Sequence, residues 1–455
     1  MNLCQIATTI FDEALARCSI ERAFTERFIP SAAGKPYMST VCGGAGEPCV
    51  DVDLTGIARV IVIAIGKGAA TMLQGLLTQV RLPPSCKLSG ILVAPTRPAE
   101  LRDGMEYFAG GHPLPNAESF AGARAARSLI QQAAAQAVEV PTFCFFLISG
   151  GASAMLELPL DDTIPLEDTV AFHRALVHSG ASIAEINCVR KHFSAVKGGR
   201  LGQAAVAIPN LSIMISDVPS GHLDSLASGP TLPDRSTLTE CREVLRRFDL
   251  LPQLPASVTS FFNSPTLLET PKPGSYTPRI VTFLSSRDLA ESARIVADTL
   301  KFHTVIDESC DDWDYRPAAQ HLLARLRDLR SEYSKVCIIV PGEVTVTLPK
   351  EITNYRSTGV GGRNQHFALY TATLLQASDR PAVVFSAGSD GIDGDSSFAG
   401  AVIDYDSVHY QDQFGLAQEA LLRFDSSTFL SRIGATIKTG PTGNNLRDLR
   451  LLLVD

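Results

Sequence analysis

The segment Ala64-Ile65-Gly66-Lys67-Gly68-Ala69-Ala70 ends an apolar run and leads through small residues into a helix-like stretch. Such a turn aims backbone N–H groups and a helix N-terminus at an anion, and Lys67 adds a full positive charge at the same mouth. It is not a Walker loop, because Ile61 stands where the first glycine belongs and no Ser or Thr follows the lysine. Thr71 in place of a third glycine also spoils a dinucleotide fingerprint. The plainer reading is a surface lysine beside a tight turn. Leu147-Ile148-Ser149-Gly150-Gly151-Ala152-Ser153-Ala154 repeats the arrangement. Gly150 and Gly151 let the backbone curl round a phosphate or carboxylate, with Ser149 and Ser153 adding hydroxyl donors. Without a ligand the same residues make a strand-to-helix turn.

Between Asn187 and Gly202 the chain gathers Arg190, Lys191, His192, Lys197 and Arg200 around Gly198-Gly199. One sign of charge suits a polyphosphate, whereas a solvated helix face mixes signs. In Ile215-Ser216-Asp217-Val218 a carboxylate follows an apolar run directly; there it can hold Mg2+, accept a proton from a hydroxyl, or simply cap a turn. Thr358-Gly359-Val360-Gly361-Gly362-Arg363-Asn364-Gln365 sets Arg363 behind glycines at a helix start, where a guanidinium can fork onto a carboxylate or phosphate. Asp390-Gly391-Ile392-Asp393-Gly394-Asp395 offers closely spaced carboxylates, but Ala401 occupies the twelfth position at which an EF-hand needs Glu. A single Mg2+ or a proton acceptor fits Asp390 better. Thr439-Gly440-Pro441-Thr442-Gly443-Asn444-Asn445 adds hydroxyl and amide donors.

These motifs follow short apolar runs, Arg59–Ile65, Phe143–Ser149 and Leu211–Ser216, each succeeded by a helix-like segment. That alternation predicts a parallel α/β sheet, with ligands outside the carboxyl ends of its strands. The Pro- and Gly-bearing stretch 266–278 reads as a linker between an N-terminal domain, 1–265, and a C-terminal one, 279–455. In the latter, Arg279–Leu284 reads as a strand, Asp288–Leu300 as a helix, and Lys335–Pro341 with Glu343–Leu348 as a strand pair. Arg363–Gln376 reads as a helix and Ala382–Ser386 as a strand, while Arg450–Asp455 is a last strand free to join either sheet. The 455 residues suit two cores, and a 45% hydrophobic, 19% charged composition argues against disorder. A net charge of -8 disfavours nucleic acid and anionic membrane, so the expected partners are small molecules. The ten cysteines include no C-x-x-C pair and read as reduced, mostly buried thiols. Asp12 and Glu13 interrupt any leader-like run, and no apolar stretch is long enough to span a membrane, so a cytoplasmic protein is expected.

In order along residues from about 60 to 455, the chain resembles the glycerate 2-kinase family, an N-terminal glycerate kinase domain followed by a MOFRL domain. The resemblance is carried by Gly66-Lys67, Gly111-His112-Pro113, Ser149-Gly150-Gly151, Val189-Arg190-Lys191-His192 with Lys197-Gly198-Gly199-Arg200, and Ser216-Asp217-Val218. In the second half it rests on Gly361-Gly362-Arg363-Asn364-Gln365, Asp390-Gly391-Ile392-Asp393-Gly394 and Thr439-Gly440-Pro441-Thr442-Gly443. It implies an α/β chain of two domains, a Rossmann-like parallel sheet flanked by helices and then a mixed α/β domain. It also implies ATP-dependent phosphorylation of D-glycerate at the 2-hydroxyl, with ATP and Mg2+ as cofactors. By the same resemblance Lys67 and Arg363 are the principal catalytic cations of a domain cleft, with Asp217 and Asp390 as metal ligands or proton acceptor. Gly66, Ser149, Gly150, Gly151, Ser153, Arg190, Lys197, Asn364, Thr439 and Thr442 would bind substrate or nucleotide, and a homodimer is admitted. Ala152, the run Gly221-His222-Leu223-Asp224 and the run Pro341-Gly342-Glu343-Val344 depart from the family pattern, so metal or nucleotide affinity is expected to differ from its norm. The rival readings are a hydroxypyruvate reductase and a non-catalytic module that binds phosphorylated acids.

Overall fold

The computed structural model describes residues 2–31, 35–219, 221–349, 359–410 and 412–455. The chain forms two compact units, Ile20–Phe283 and a discontinuous one made of Met1–Ser19 with Leu284–Asp455. The division differs from the one expected at 266–278. That stretch is strapped to the first unit: Asp234 N–H donates to Pro271 O (2.8 Å), Thr270 Oγ1 to Asp234 (2.9 Å) and Tyr276 OH to Gly199 O (3.0 Å). Its prolines and glycine mark a lack of regular structure rather than a lack of contacts.

In the first unit, β1 (Phe28–Pro30), β2 (Met38–Cys42) and β3 (Cys49–Asp53) form a small antiparallel sheet. The main sheet contains β4 (Arg59–Ile65), β5 (Lys87–Ala94), β6 (Met105–Ala109), β7 (Thr142–Ile148), β8 (Asn210–Ile215) and β9 (Ile280–Leu284), in the order β6-β5-β4-β7-β8-β9. The pairs β5·β6, β4·β5, β4·β7 and β7·β8 are parallel. Every residue of β7 is buried, as is β4 from Val60 onward. A parallel sheet covered on both faces requires such unbroken apolar runs. The helix Ala117–Ala135, opened by an Asn116 capping box, packs Phe120, Ala126 and Ile130 into the same core as Ile61, Ile63, Phe146 and Ile148. From β4 the chain winds outward through β5 to β6, and from β7 in the opposite direction to β8. The sheet therefore reverses its strand order between β4 and β7, which opens a crevice at their carboxyl ends.

The second unit is built on a mixed sheet of β10 (His303–Ile306), β11 (Val336–Pro341), β12 (Val383–Gly388), β13 (Gly400–Asp404), β14 (Thr436–Ile437) and β15 (Asp448–Val454), in the order β10-β11-β15-β12-β13-β14. The last strand lies inside its own unit's sheet, antiparallel to both β11 and β12. The helix Leu3–Arg17 belongs here too, with Phe11 against Phe385 at 5.0 Å between ring centroids. The strand expected at Glu343–Leu348 is absent. Gly342, at φ +96°, turns the chain off the sheet after Pro341, and only Thr345 makes an isolated bridge, to Asp314. Among the described residues no helix is long and apolar enough to cross a membrane.

Two further expectations change. Cys42 and Cys49 form a disulfide rather than free thiols, because antiparallel pairing sets them directly opposite one another across β2 and β3. The other eight cysteines are free, six of them buried. In addition, the basic segment 187–202 does not present a row of free cations. Lys197 is 1% exposed and ties Glu157 (2.8 Å) to Leu156 O (3.0 Å), while His173 meets the same carboxylate at 2.7 Å. Lys191 is likewise buried, between Asp224 (2.9 Å) and Asp234 (3.1 Å). Although burial opposes it, Lys197 and His173 hold Glu157 well below the usual carboxylate range. Removing one member of such a group strands the other in the interior. Lys197→Met is therefore expected to destabilise the protein by about 3–5 kcal/mol in denaturant unfolding; a loss below about 1 kcal/mol would show that water reaches Glu157 instead.

Candidate active site

Two hydrogen bonds close the crevice floor in the first unit. Lys67 N–H donates to Gly150 O (2.9 Å) and Gly68 N–H to Ser149 Oγ (3.0 Å), so the loops after β4 and β7 are one structure. Gly66, at φ +118°, backs onto Ser149, whose carbonyl and hydroxyl oxygens both stand 2.5 Å from where a Cβ would be. Only glycine tolerates both that backbone conformation and that approach. At Gly150 a Cβ would overlap the Asp217 carboxylate, which arrives from the end of β8. The position of a Cβ on Gly151 lies 3.1 Å from Lys67 Cγ and 3.2 Å from His112 Cδ2. Three parallel strands thus deliver Lys67, the Gly150-Gly151 backbone and Asp217 to one place, and His112 comes to it from the loop after β6.

Lys67 is exposed, and among the described residues no carboxylate pairs with it. Burial, and then the Lys67 charge, push His112 below the ordinary histidine range, so its imidazole is neutral at neutral pH. Ser149 is 3% exposed and its hydroxyl is committed to the Gly68 N–H, so it sets the loop rather than reaching outward. Ser153 sits half-exposed on the short helix Ala152–Met155. Arg190 is half-buried with an unpartnered Nε, and burial lowers its pKa. Lys197, in its internal ion pair, supports Leu156 at the far end of the short helix.

In the second unit the helix Arg363–Thr373 begins at a cap that the sequence did not announce. Asp393 accepts from the N–H groups of Asn364 (3.0 Å) and Gln365 (2.8 Å), and burial raises its pKa to about 6. Arg363 forks onto Asp448 (Nε to Oδ2 2.5 Å, Nη2 to Oδ1 3.2 Å) and reaches Glu343 at 2.7 Å. Arg447, behind it, pairs with Asp311 (2.5 Å) and Asp312 (3.0 Å). Asn364 is 1% exposed and bridges Ser386 Oγ (2.6 Å) to Asp393, so its amide belongs to the interior. Asp390 accepts from Ile392 N–H (3.1 Å), and a Cβ on Gly388 would stand 3.2 Å from its Oδ1 and 3.4 Å from that of Asp448. Thr442 donates to Ser389 O (2.7 Å) and so pins the 439–445 loop beside Asp390, whereas Thr439 is exposed. Thr358, which opens the glycine motif, lies outside the described residues.

The two aspartates expected to bind metal fall in different units, and among the described residues no cluster of three or more His, Cys, Asp or Glu side chains could hold an ion. That donor set suits Mg2+ only as an ion carried in on substrate phosphates, which needs one or two protein carboxylates. His112, Glu343, Asp393 and Asp448 were missing from the sequence-derived site. Two of them carried a signal, His112 in a Gly-Gly-His-Pro turn just past a strand and Asp393 in the run of spaced carboxylates that begins at Asp390.

The geometry defines a class: a two-unit α/β protein with an anion cradle and a free lysine at the switch point of one sheet, and an arginine at a capped helix start in the other unit. The family described as "Domain of unknown function (DUF4147)" matches residues 6–263, and the MOFRL family matches 336–448. The D-glycerate 2-kinase of Thermotoga maritima is 30% identical over 87% of this chain and 91% of that one. A putative hydroxypyruvate reductase of Agrobacterium vitis is 31% identical over 87% of each chain. The solved structure of glycerate kinase from Thermotoga maritima superposes with a TM-score of 0.78 at 28% identity, covering 100% of this chain and 99% of that one. The chain belongs to the glycerate 2-kinase family.

Burial, and then Asp448, raise Glu343 to about 7 even though Arg363 and Arg447 oppose it, because Arg363 is shared with the more tightly held Asp448. An acid whose folded pKa exceeds its unfolded value binds more protons when folded, so its contribution to stability falls as pH rises between the two. Wild-type protein should lose this contribution from about pH 5 to just above 7. Glu343→Gln should show a flatter stability profile across that window in chemical denaturation. An unchanged slope would mean that Glu343 stays ionised throughout.

Proposed function

We propose that the protein transfers the γ-phosphoryl group of ATP to the 2-hydroxyl of D-glycerate, giving 2-phosphoglycerate and ADP. The observation that carries this reading is the exposed, unpaired Lys67 fixed beside the Gly150-Gly151 backbone and Asp217 at the switch point. Phosphoryl transfer asks a protein mainly to position its reactants and neutralise charge, and this arrangement supplies a cation, a glycine cradle and a carboxylate together. Lys67 offsets the charge of the transferring group, and Asp217 accepts the hydroxyl proton or holds Mg2+. In the other unit, Asp390 is the second candidate for Mg2+ or proton acceptance, and Arg363 is the cation for a carboxylate or phosphate. Bound Mg2+ would screen the phosphate oxygens. Gly66, Gly150, Gly151, Ser153, Arg190, Thr439 and Thr442 remain candidates for substrate or nucleotide contact, whereas Ser149 and Lys197 act on the site through the backbone they hold and Asn364 through the Asp393 carboxylate that caps its helix. Cytoplasmic residence and a homodimer belong to the same proposal.

A reductase would need a dinucleotide site. Thr71 replaces its third glycine, and β5, the strand whose end would supply an acid for the ribose, runs out in Val93-Ala94-Pro95-Thr96. A coupled ADP-release assay over small hydroxy acids should therefore show turnover with D-glycerate that excess chelator abolishes. Oxidation of NADH by hydroxypyruvate without ATP turnover would favour the reductase instead. Lys67→Ala and Arg363→Ala should each lower kcat by roughly 1000-fold in folded protein, and Arg363→Lys should restore little, since lysine lacks the two-pronged contact. Asp390→Asn should cost at least roughly 100-fold if its carboxylate takes part; a near-normal rate would leave it the turn contact to Ile392 alone.

A further inference from the structure

The C-terminal unit holds a cavity of about 400 Å3 whose wall includes Val344, Val346, Leu348 and Phe424 together with Arg363 and Glu343. His366, one turn along the helix from Arg363, lines the same cavity and is 3% exposed. Its ring stacks on Phe424 (centroids 5.1 Å apart, planes 9° apart), takes Tyr315 edge-on at 4.7 Å, and meets Ser426 Oγ through Nδ1 at 3.1 Å. The ring is therefore held on several sides. Nε2, however, is buried without a hydrogen-bond partner. Interior polar atoms are nearly always paired, so an orphan on a side chain that lines a cavity is the atom whose bond a ligand there would complete.

The wall composition narrows the ligand. Glycerate is polar along its whole length and has no use for three aliphatic side chains and a phenyl ring. A flat heterocycle does, and the volume lies within the range of sites that take nucleoside-sized ligands. Burial, and then the Arg316 charge, lower His366 to about 4, so near neutral pH the imidazole is uncharged and offers one N–H and one lone pair.

We propose that this cavity is the adenine subsite for ATP, with the base held among Val344, Val346, Leu348 and Phe424, one edge atom hydrogen-bonded to His366 Nε2, and the phosphates leading toward Arg363. The proposal rests on the phosphotransferase reading and deepens it.

Calorimetric titration of the full chain with ADP and, separately, with inorganic tripolyphosphate tests it. His366→Leu and Val346→Trp should each weaken ADP binding by about tenfold or more, the scale of one lost hydrogen bond or a blocked pocket. Tripolyphosphate binding should stay within about twofold of wild type, since phosphate recognition is charge recognition. His366→Asn, which keeps an amide donor, should recover part of the ADP affinity. Val346 is half-buried and packs against the core, so its variant is read only where circular dichroism and thermal unfolding match wild type. Wild-type ADP affinity in both Leu and Trp variants would overturn the subsite, and so would an equal loss of ADP and tripolyphosphate binding. If wild-type protein still turns over ATP in the first case, the phosphotransferase reading survives its subsite; if wild type binds neither probe, both fall.

Discussion

Two backbone donors, the N–H groups of Lys67 and Gly68, tie the end of β4 to the end of β7, and the candidate site is organised around that junction. The bonds form because β4 and β7 are neighbours in register, Ile65 opposite Ile148, so their loops leave the sheet at the same height. With the loops joined, the Lys67 backbone is fixed, and among the described residues no carboxylate pairs with its exposed side chain, so its charge stays available. Asp217 enters the same space because β8 is the next strand over, and the missing side chain at Gly150 leaves room for it. Strand adjacency and the left-handed backbone at Gly66 together make this arrangement.

The second unit handles charge differently. Arg363 is held by Asp448 and Glu343, so its charge is already met by carboxylates. An incoming anion must compete with carboxylates that geometry has placed within 3 Å. Glu343, poised near neutrality, is the group whose proton can shift that balance. A lone arginine would bind any passing anion; one shared between carboxylates answers only to a ligand that recovers more than it displaces.

The strands were legible because buried parallel strands read as continuous apolar runs: Arg59–Ile65 is β4 residue for residue, and β7 and β8 begin one residue early. Lys67, Asp217 and Arg363 were legible as chemistry because each follows an element end. What could not be read were partners distant in sequence. Asp448, 85 positions from Arg363, and Glu157, 40 positions before Lys197, carry no local mark that assigns them. Hence Lys191 and Lys197 looked like ligand-binding cations when they are interior ones. The pairing of Cys42 with Cys49 escaped for the same reason, since it depends on a hairpin register that the spacing alone does not announce.

The discontinuity of the second unit bears on the order in which the molecule is made. Residues 20–283 are contiguous and can close their sheet while synthesis is still under way. The helix Leu3–Arg17 is made hundreds of residues before its partners, Phe385 among them. β11 and β12 cannot share a sheet until β15 arrives to lie between them. Until then β11 and β12 each keep one unpaired edge, and the strand that covers both, Asp448–Val454, is made after either of them.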